Sequence, residues 1–367
     1  MSAFPAGSSR GEPAPATNTG SARPAARLRV GVVGARQAVQ GIGAYVAREF
    51  ARAGCDVVGI VGTRQETVAA ARADLAQRFG LQCEGYTDLP ALLARQRPDI
   101  IALCSPAGCH RAQLQAALAA GAHVFCEKPL WWEPGTLERP AAELVAQVTA
   151  LAAGFAEAGR LLALNTQWPF TLECFGRLHP GVLAGPPPWP VRRFEMLLSP
   201  IRSGQDMVVD GAPHLISMLA ALLGPGRARD IRATWNGAGE GSAGPSAGGG
   251  TSLDLALGYE HARGTTQVLL RLRQCPQQPR PAGYGIDGAW AERQVSQPGY
   301  RMALAGAGRS EALHDPLDLC VAAFVAAVAR GEATDGQTLV ESLAILRDLV
   351  AAAGGPDRFR DVREVPA

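Results

Sequence analysis

The chain lacks three features that would narrow its class at once: an excess of one charge, a cysteine framework and a long apolar run. Its 35 Lys and Arg residues nearly balance 33 Asp and Glu, leaving a net charge of +2. The basic residues are dispersed and form no stripe, which argues against a nucleic-acid partner. Eight cysteines are scattered without a C-x-x-C pair. Cys104 and Cys109 do not have zinc-knuckle spacing, so neither a metal site nor a disulfide framework is expected, and a reducing cytosol fits. No consecutive apolar run is long enough for a bilayer, so no membrane partner is expected. There is no internal repeat. The first 26 residues are rich in Pro, Ala, Ser and Gly and have no apolar h-region. They predict a disordered tail over 1–26 rather than a secretory signal.

What is present is enough apolar residue to build large cores. With 367 residues, 47% of them hydrophobic, the chain should form two domains. From Arg27 on, short β-branched runs ("RLRVGVVG", "DVVGIVG", "DIIALCS", "AHVFCE", "RLLALNT") alternate with segments of helical periodicity that end at glycine. That alternation predicts right-handed βαβ units and a doubly wound parallel sheet over 27–165. In 166–367 the runs "VRRFEMLLS", "TSLDLALGYE", "TTQVLLRLR", "ERQVSQ" and "YRMALAG" follow one another mostly without helices. They predict an α+β domain with an open, mostly antiparallel sheet covered on one face by three helices. A glycine-rich loop is expected near 238–250. The open sheet should present a long apolar face and drive assembly into a homodimer or homotetramer.

The first strand and helix are joined by "GARQAVQGIG", Gly34 to Gly43. A dinucleotide site needs glycine there so that backbone and helix N-terminus can approach a pyrophosphate. The usual G-x-G-x-x-G spacing is not kept: Arg36 stands where the second glycine is expected, and Gly41 and Gly43 come later. The string "CEKPL" then puts Glu127 and Lys128 at the end of an apolar strand. In an open parallel sheet that end faces the ligand crevice.

Four elements in order, "RVGVVGARQAVQGIG", "CSPAGCH", "GAHVFCEKPL" and "DGAPH", resemble the glucose-fructose oxidoreductase / inositol dehydrogenase / MocA family of NAD(P)-dependent oxidoreductases, over roughly residues 28–350. The resemblance implies a Rossmann domain followed by an α/β domain with an open sheet, and a homo-oligomer. It implies a nicotinamide cofactor held by Gly34, Ala35, Arg36, Gly41, Ile42, Ser105, Pro106, His110, Glu127 and Lys128. It places Lys128 beside the nicotinamide and the reacting oxygen of the substrate. Trp168, just after the last Rossmann strand, is expected to line the same crevice.

Hydride transfer from an alcohol also requires a base. Asp210 and His214 lie four residues apart in "DGAPH", on one side of a helix. Asp210 suits an N-cap, with Pro213 in the first turn, which would put His214 near the positive helix end with Asp210 orienting it. The resemblance gives these two residues the acid/base role. Ser217 stands where the family often has an aspartate. At the end of the second strand the residues are Gly62, Thr63 and Arg64, with no carboxylate to accept ribose hydroxyls. Thr63, Arg64 and Arg36 suit a 2′-phosphate instead, so NADP is preferred and NAD is possible. The expected activity is oxidation or reduction of a hydroxyl or carbonyl on a sugar, polyol or similar polar metabolite. A cofactor-binding sensor without turnover and an imine reductase remain alternatives on the same scaffold.

Overall fold

The computed structural model describes residues 27–35, 41–236, 251–296 and 300–354. The tail 1–26, Arg36 and the glycine-rich segment 238–250 lie outside the described residues.

The first half alternates as its periodicity predicts: β1 (Arg29–Val33), α1 (Gly43–Arg52), β2 (Asp56–Val61), α2 (Gln65–Phe79), β3 (Glu84–Tyr86), α3 (Leu89–Gln96), β4 (Ile100–Leu103), α4 (His110–Ala119), β5 (His123–Cys126), α5 (Ala141–Glu157) and β6 (Leu162–Leu164). All six strands are parallel, in the order β3-β2-β1-β4-β5-β6. The order reverses between β1 and β4, which opens a crevice at their carboxyl ends. β4 and β5 are fully buried, as a sheet covered on both faces requires. β3 is only three residues and too short to show a period, and it was not foreseen.

The second half is α6 (Leu172–Leu178), β7 (Arg193–Leu198), α7 (Gln205–Leu223), β8 (Gly226–Asn236), β9 (Ser252–His261), β10 (Gly264–Arg273), β11 (Gly283–Ile286), β12 (Ala289–Ser296), β13 (Arg301–Gly306), β14 (Arg309–Leu313), α8 (Pro316–Ala329) and α9 (Gly336–Ala353). Its eight strands run β14-β13-β12-β11-β7-β10-β9-β8, antiparallel except for the β7–β10 pair. Phe194, Met196, Leu198, Leu255, Leu270 and Tyr284 point from the sheet into a core shared with α7 and α9. By length and composition α7 could cross a bilayer, against the expectation that no segment would; here most of it is buried as the core helix.

Two other expectations need correction. The open face of the second sheet is not a long apolar surface. Glu195 bridges Arg193 and Arg271 at 2.6 and 2.8 Å, Arg273 meets Asp254 at 2.6 Å, and Arg227 meets Glu260 at 2.7 Å. These charges interrupt the face, which Leu197 and Leu269 share with them as partly exposed apolar residues. Second, α8 does not stay with the second domain. Phe324 packs edge-on to Phe50 and Phe125 (6.1 and 5.3 Å between ring centres), within the core under α1 and β5. A helix apolar around most of its circumference needs burial on several sides, and the first sheet supplies it.

Candidate active site

Two glycines shape the nucleotide end of the crevice. Gly34 ends β1 with φ +85°, and a Cβ there would lie 2.6 Å from the Cys104 carbonyl oxygen. A Cβ on Gly43, the first residue of α1, would lie 2.3 Å from the Gly34 carbonyl oxygen. Helix α1 therefore starts in direct backbone contact with the β1 turn. Its N-cap, Ile42, offers no side-chain acceptor, so the first-turn N–H groups have no side-chain cap. Uncapped N–H groups beside the end of a central strand are a cradle for a phosphate group. Ala35, Gly41 and Ile42 flank it. Arg64, exposed at the start of α2 in an extended conformation, has no hydrogen bond or ion pair from its guanidinium among the described residues. Thr63 beside it is exposed too. The glycine packing and the first-turn N–H groups, uncapped by any side chain among the described residues, fit a dinucleotide.

At the other end of the crevice the two charges of "CEKPL" diverge. Glu127 accepts a hydrogen bond from Asn165 Nδ2 at the end of β6. Lys128 Nζ reaches across to α7, donating to Asp210 Oδ1 at 2.6 Å and to the Asp210 carbonyl oxygen at 3.0 Å. Two of three ammonium donors are thus used, and one is left for a substrate oxygen. The Lys128–Pro129 bond is cis. His214 lies one turn further along α7, with its ring 6.4 Å from that of Trp168 and near perpendicular to it. Its Nδ1 is sealed from solvent without a partner, which leaves Nε2 as the nitrogen that a substrate can reach.

The structure joins Lys128 to Asp210, with His214 one turn further along α7, but the local geometry differs from the one expected. Helix α7 begins at Gln205, so Asp210 is not an N-cap and His214 is not in the first turn. Pro213 sits inside the helix, where its missing N–H leaves a carbonyl one turn earlier without its helical donor. Asp210 pairs with Lys128 and makes no hydrogen bond to His214. His110 is fully buried and does not line the crevice. Its Nε2 meets the Ser105 carbonyl at 2.7 Å and its Nδ1 the Pro129 and Leu130 carbonyls at 3.1 and 3.2 Å, so it ties the β4 and β5 loops together. The Ser105 hydroxyl is turned to Gln113 (2.6 Å), and Pro106 stays exposed at the rim. Trp168 is buried against His214, Tyr284 and the Arg293 guanidinium, on the second domain's side rather than the cofactor's. Sequence reading missed Asn165, a polar residue closing the apolar run of β6, and Arg293, for which the sequence holds no local cue.

Electrostatics separate the groups. Burial pushes the Asp210 carboxyl up, but the charge and hydrogen bond of Lys128 outweigh it and hold it below the usual range. Burial pushes the Glu127 carboxyl up despite Lys128 and Asn165. His214 is pushed down from 6.5 to about 3 by burial first, then by the Lys128 charge, with Asp210 opposing. Its imidazole is therefore neutral at physiological pH and able to take a proton. Because the folded value is depressed, the unfolded chain binds more protons between about pH 6.5 and 3, and stability falls as pH falls through that window. Between pH 6.5 and 4.5 the wild type should lose about 2 kcal/mol more than His214→Gln in urea melts. Equal losses would show that the ring is not held neutral by the fold.

Residues 28–165 match the family described as GFO_IDH_MocA, an oxidoreductase family with an NAD-binding Rossmann fold. This part of the chain belongs to that family. The chain is similar to the D-glucoside 3-dehydrogenase of Escherichia coli (strain K12), 31% identical over 30% of this chain and 29% of that protein. It is also similar to the dTDP-3,4-didehydro-2,6-dideoxy-alpha-D-glucose 3-reductase of Actinomadura kijaniata, 41% identical over 22% and 24%. The matched segments span less than a third of either relative. The fold extends further: the UDP-N-acetylglucosamine 3-dehydrogenase of Acidithiobacillus ferrooxidans superposes with a TM-score of 0.61 at 20% identity, covering 90% of this chain and 98% of that one.

Proposed function

We propose that the protein is a dehydrogenase or reductase that prefers NADP(H) and acts on a secondary hydroxyl or the corresponding carbonyl of a sugar-like metabolite. The observation that carries this reading is the meeting of Lys128, Asp210 and His214 at the carboxyl end of β5, on the same edge of the sheet as the Gly34–Gly43 cradle. The three named relatives support the substrate class, since each name describes chemistry at position 3 of a sugar. The nicotinamide, when bound, supplies or accepts the hydride. Lys128 donates its free N–H to the reacting oxygen and stabilises charge as an alkoxide develops. Asp210 holds the ammonium in place. His214, neutral in the folded protein, takes the hydroxyl proton at Nε2 in oxidation and returns it in reduction. Charge-ladder pairing between copies through the open sheet would account for a homo-oligomer, and a strictly monomeric mass in light scattering would refute it.

Cofactor choice rests on Arg64 and Thr63 at the end of β2, where a carboxylate would repel a 2′-phosphate. Arg64→Ala should weaken NADPH binding by roughly 1.5–3 kcal/mol and leave NADH binding nearly unchanged. Titration of both cofactors by thermal shift, then a sugar panel followed at the nicotinamide absorbance, tests the whole reading. Tighter binding of NADH, or equal loss for both cofactors, would contradict the preference; binding without turnover on any sugar would favour a sensor.

A further inference from the structure

The substrate side of the crevice holds more positive charge than acid/base chemistry requires. Arg293, on β12, lies in the wall beside His214, with its guanidinium carbon 5.6 Å from the Trp168 ring centre. Its Nε is sealed from solvent without a hydrogen-bond partner, and one terminal nitrogen donates at 3.3 Å to the Arg280 carbonyl oxygen. The strand is fixed there by a bond from Arg293 N to the Ala282 carbonyl oxygen at 2.7 Å. Neither Arg293 nor Arg280 forms an ion pair with any Asp or Glu among the described residues. The two charges act inward: Arg280 on Asp210, Arg293 on His214. Asp210 is already paired with Lys128, and Glu127 is turned to Asn165. A guanidinium withdrawn from water with no anionic partner is costly. Packing alone would be served as well by a neutral side chain on the Trp168 face.

We propose that Arg293 and Arg280 form an oxyanion subsite, so that the substrate carries a carboxylate or a phosphate group in addition to its reacting hydroxyl. The terminal nitrogens of the Arg293 guanidinium carry four N–H donors and spend one on the Arg280 carbonyl oxygen, which leaves donors for an oxyanion. The inference rests on the proposed reading of this crevice as a substrate site, and it narrows that reading from sugars in general to acidic or phosphorylated ones.

The test is a binding measurement, so it needs no turnover. Calorimetric titration of the protein, with NADPH and without, would use methyl β-D-glucoside as the neutral probe. D-Glucuronate serves as the carboxylate probe, and glucose 6-phosphate and UDP-glucose as phosphate probes. At least one anionic probe should bind roughly 10–100-fold more tightly than the glucoside, and Arg293→Met should remove that advantage while shifting glucoside binding less than about twofold. Arg293→Lys should recover only part of it, and Arg280→Met, on a partly exposed loop, should lose part without a fall in stability. The carboxylate and phosphate arms show which anion is preferred. Wild-type binding no tighter for any anionic probe, or equal loss of neutral and anionic probes in Arg293→Met, would overturn the subsite. Selective anion binding by a protein that never turns over would keep the subsite and overturn the dehydrogenase reading instead.

Discussion

Lys128→Met and His214→Gln should each lower kcat/KM on the true substrate by about 10²–10⁴-fold, or ~3–5 kcal/mol, while NADPH binding stays within a few-fold of wild type. The expectation follows from the arrangement at the crevice. Lys128 spends two donors on Asp210 and keeps one, and His214 is held neutral with only Nε2 within reach of a substrate. Methionine keeps the length of the lysine stem but removes the donor and leaves Asp210 without its cation. Glutamine keeps polarity and roughly the reach of the imidazole but cannot take a proton. The steady-state profile separates roles: loss in kcat marks an interaction made in the transition state, whereas loss confined to KM marks binding alone. Near-normal kcat in either variant would remove that residue from the mechanism. A similar fall in NADPH affinity would move its role to the cofactor.

Gly43→Ala should cost about 3 kcal/mol of stability and most of the NADPH affinity. The new methyl group would sit 2.3 Å from the Gly34 carbonyl oxygen and 2.9 Å from the Ala35 Cα, all of it backbone that cannot rotate away. Relief requires α1 to lift from β1, which moves the N–H cradle. Gly80→Ala is the matching control. Gly80 closes α2 with φ +68° and nothing lies within 4 Å of an added Cβ, so only left-handed strain of roughly 1–2 kcal/mol is expected, with no change in cofactor affinity. Urea melts and NADPH titration of both variants decide the matter. If Gly43→Ala behaves like Gly80→Ala, the close approach of helix and strand does not matter for the site.

The alternation of strand and helix was legible because each element of the first domain carries its own signal: an apolar β-branched run, a helical period and a glycine stop. The stop at Gly80 is borne out by its left-handed conformation. The "CEKPL" string could be placed at a strand end from its apolar approach alone, and the lack of a carboxylate after β2 needed only counting. Other features depended on partners distant in the chain. β3 and β11 are held by their neighbours in the sheet rather than by a period of their own. The start of α7 at Gln205 was hidden because Pro213 reads locally as a first-turn residue, while burial against the second sheet carries the helix through it. The partner of Asp210 lies 82 residues away, and i, i+4 spacing cannot reveal a competing ammonium from another strand. His110 stands beside a strand end in sequence yet turns inward, because backbone carbonyls of two loops converge on its ring. Arg293 is one polar residue in an alternating strand until Trp168, 125 residues earlier in the chain, comes to lie beneath it. The sequence by itself thus determined the layers, the glycine turn after β1 and the place of Lys128 at a strand end. The tertiary structure alone decided which charges are paired and which face the crevice, since that depends on burial and on contacts between segments far apart in the chain.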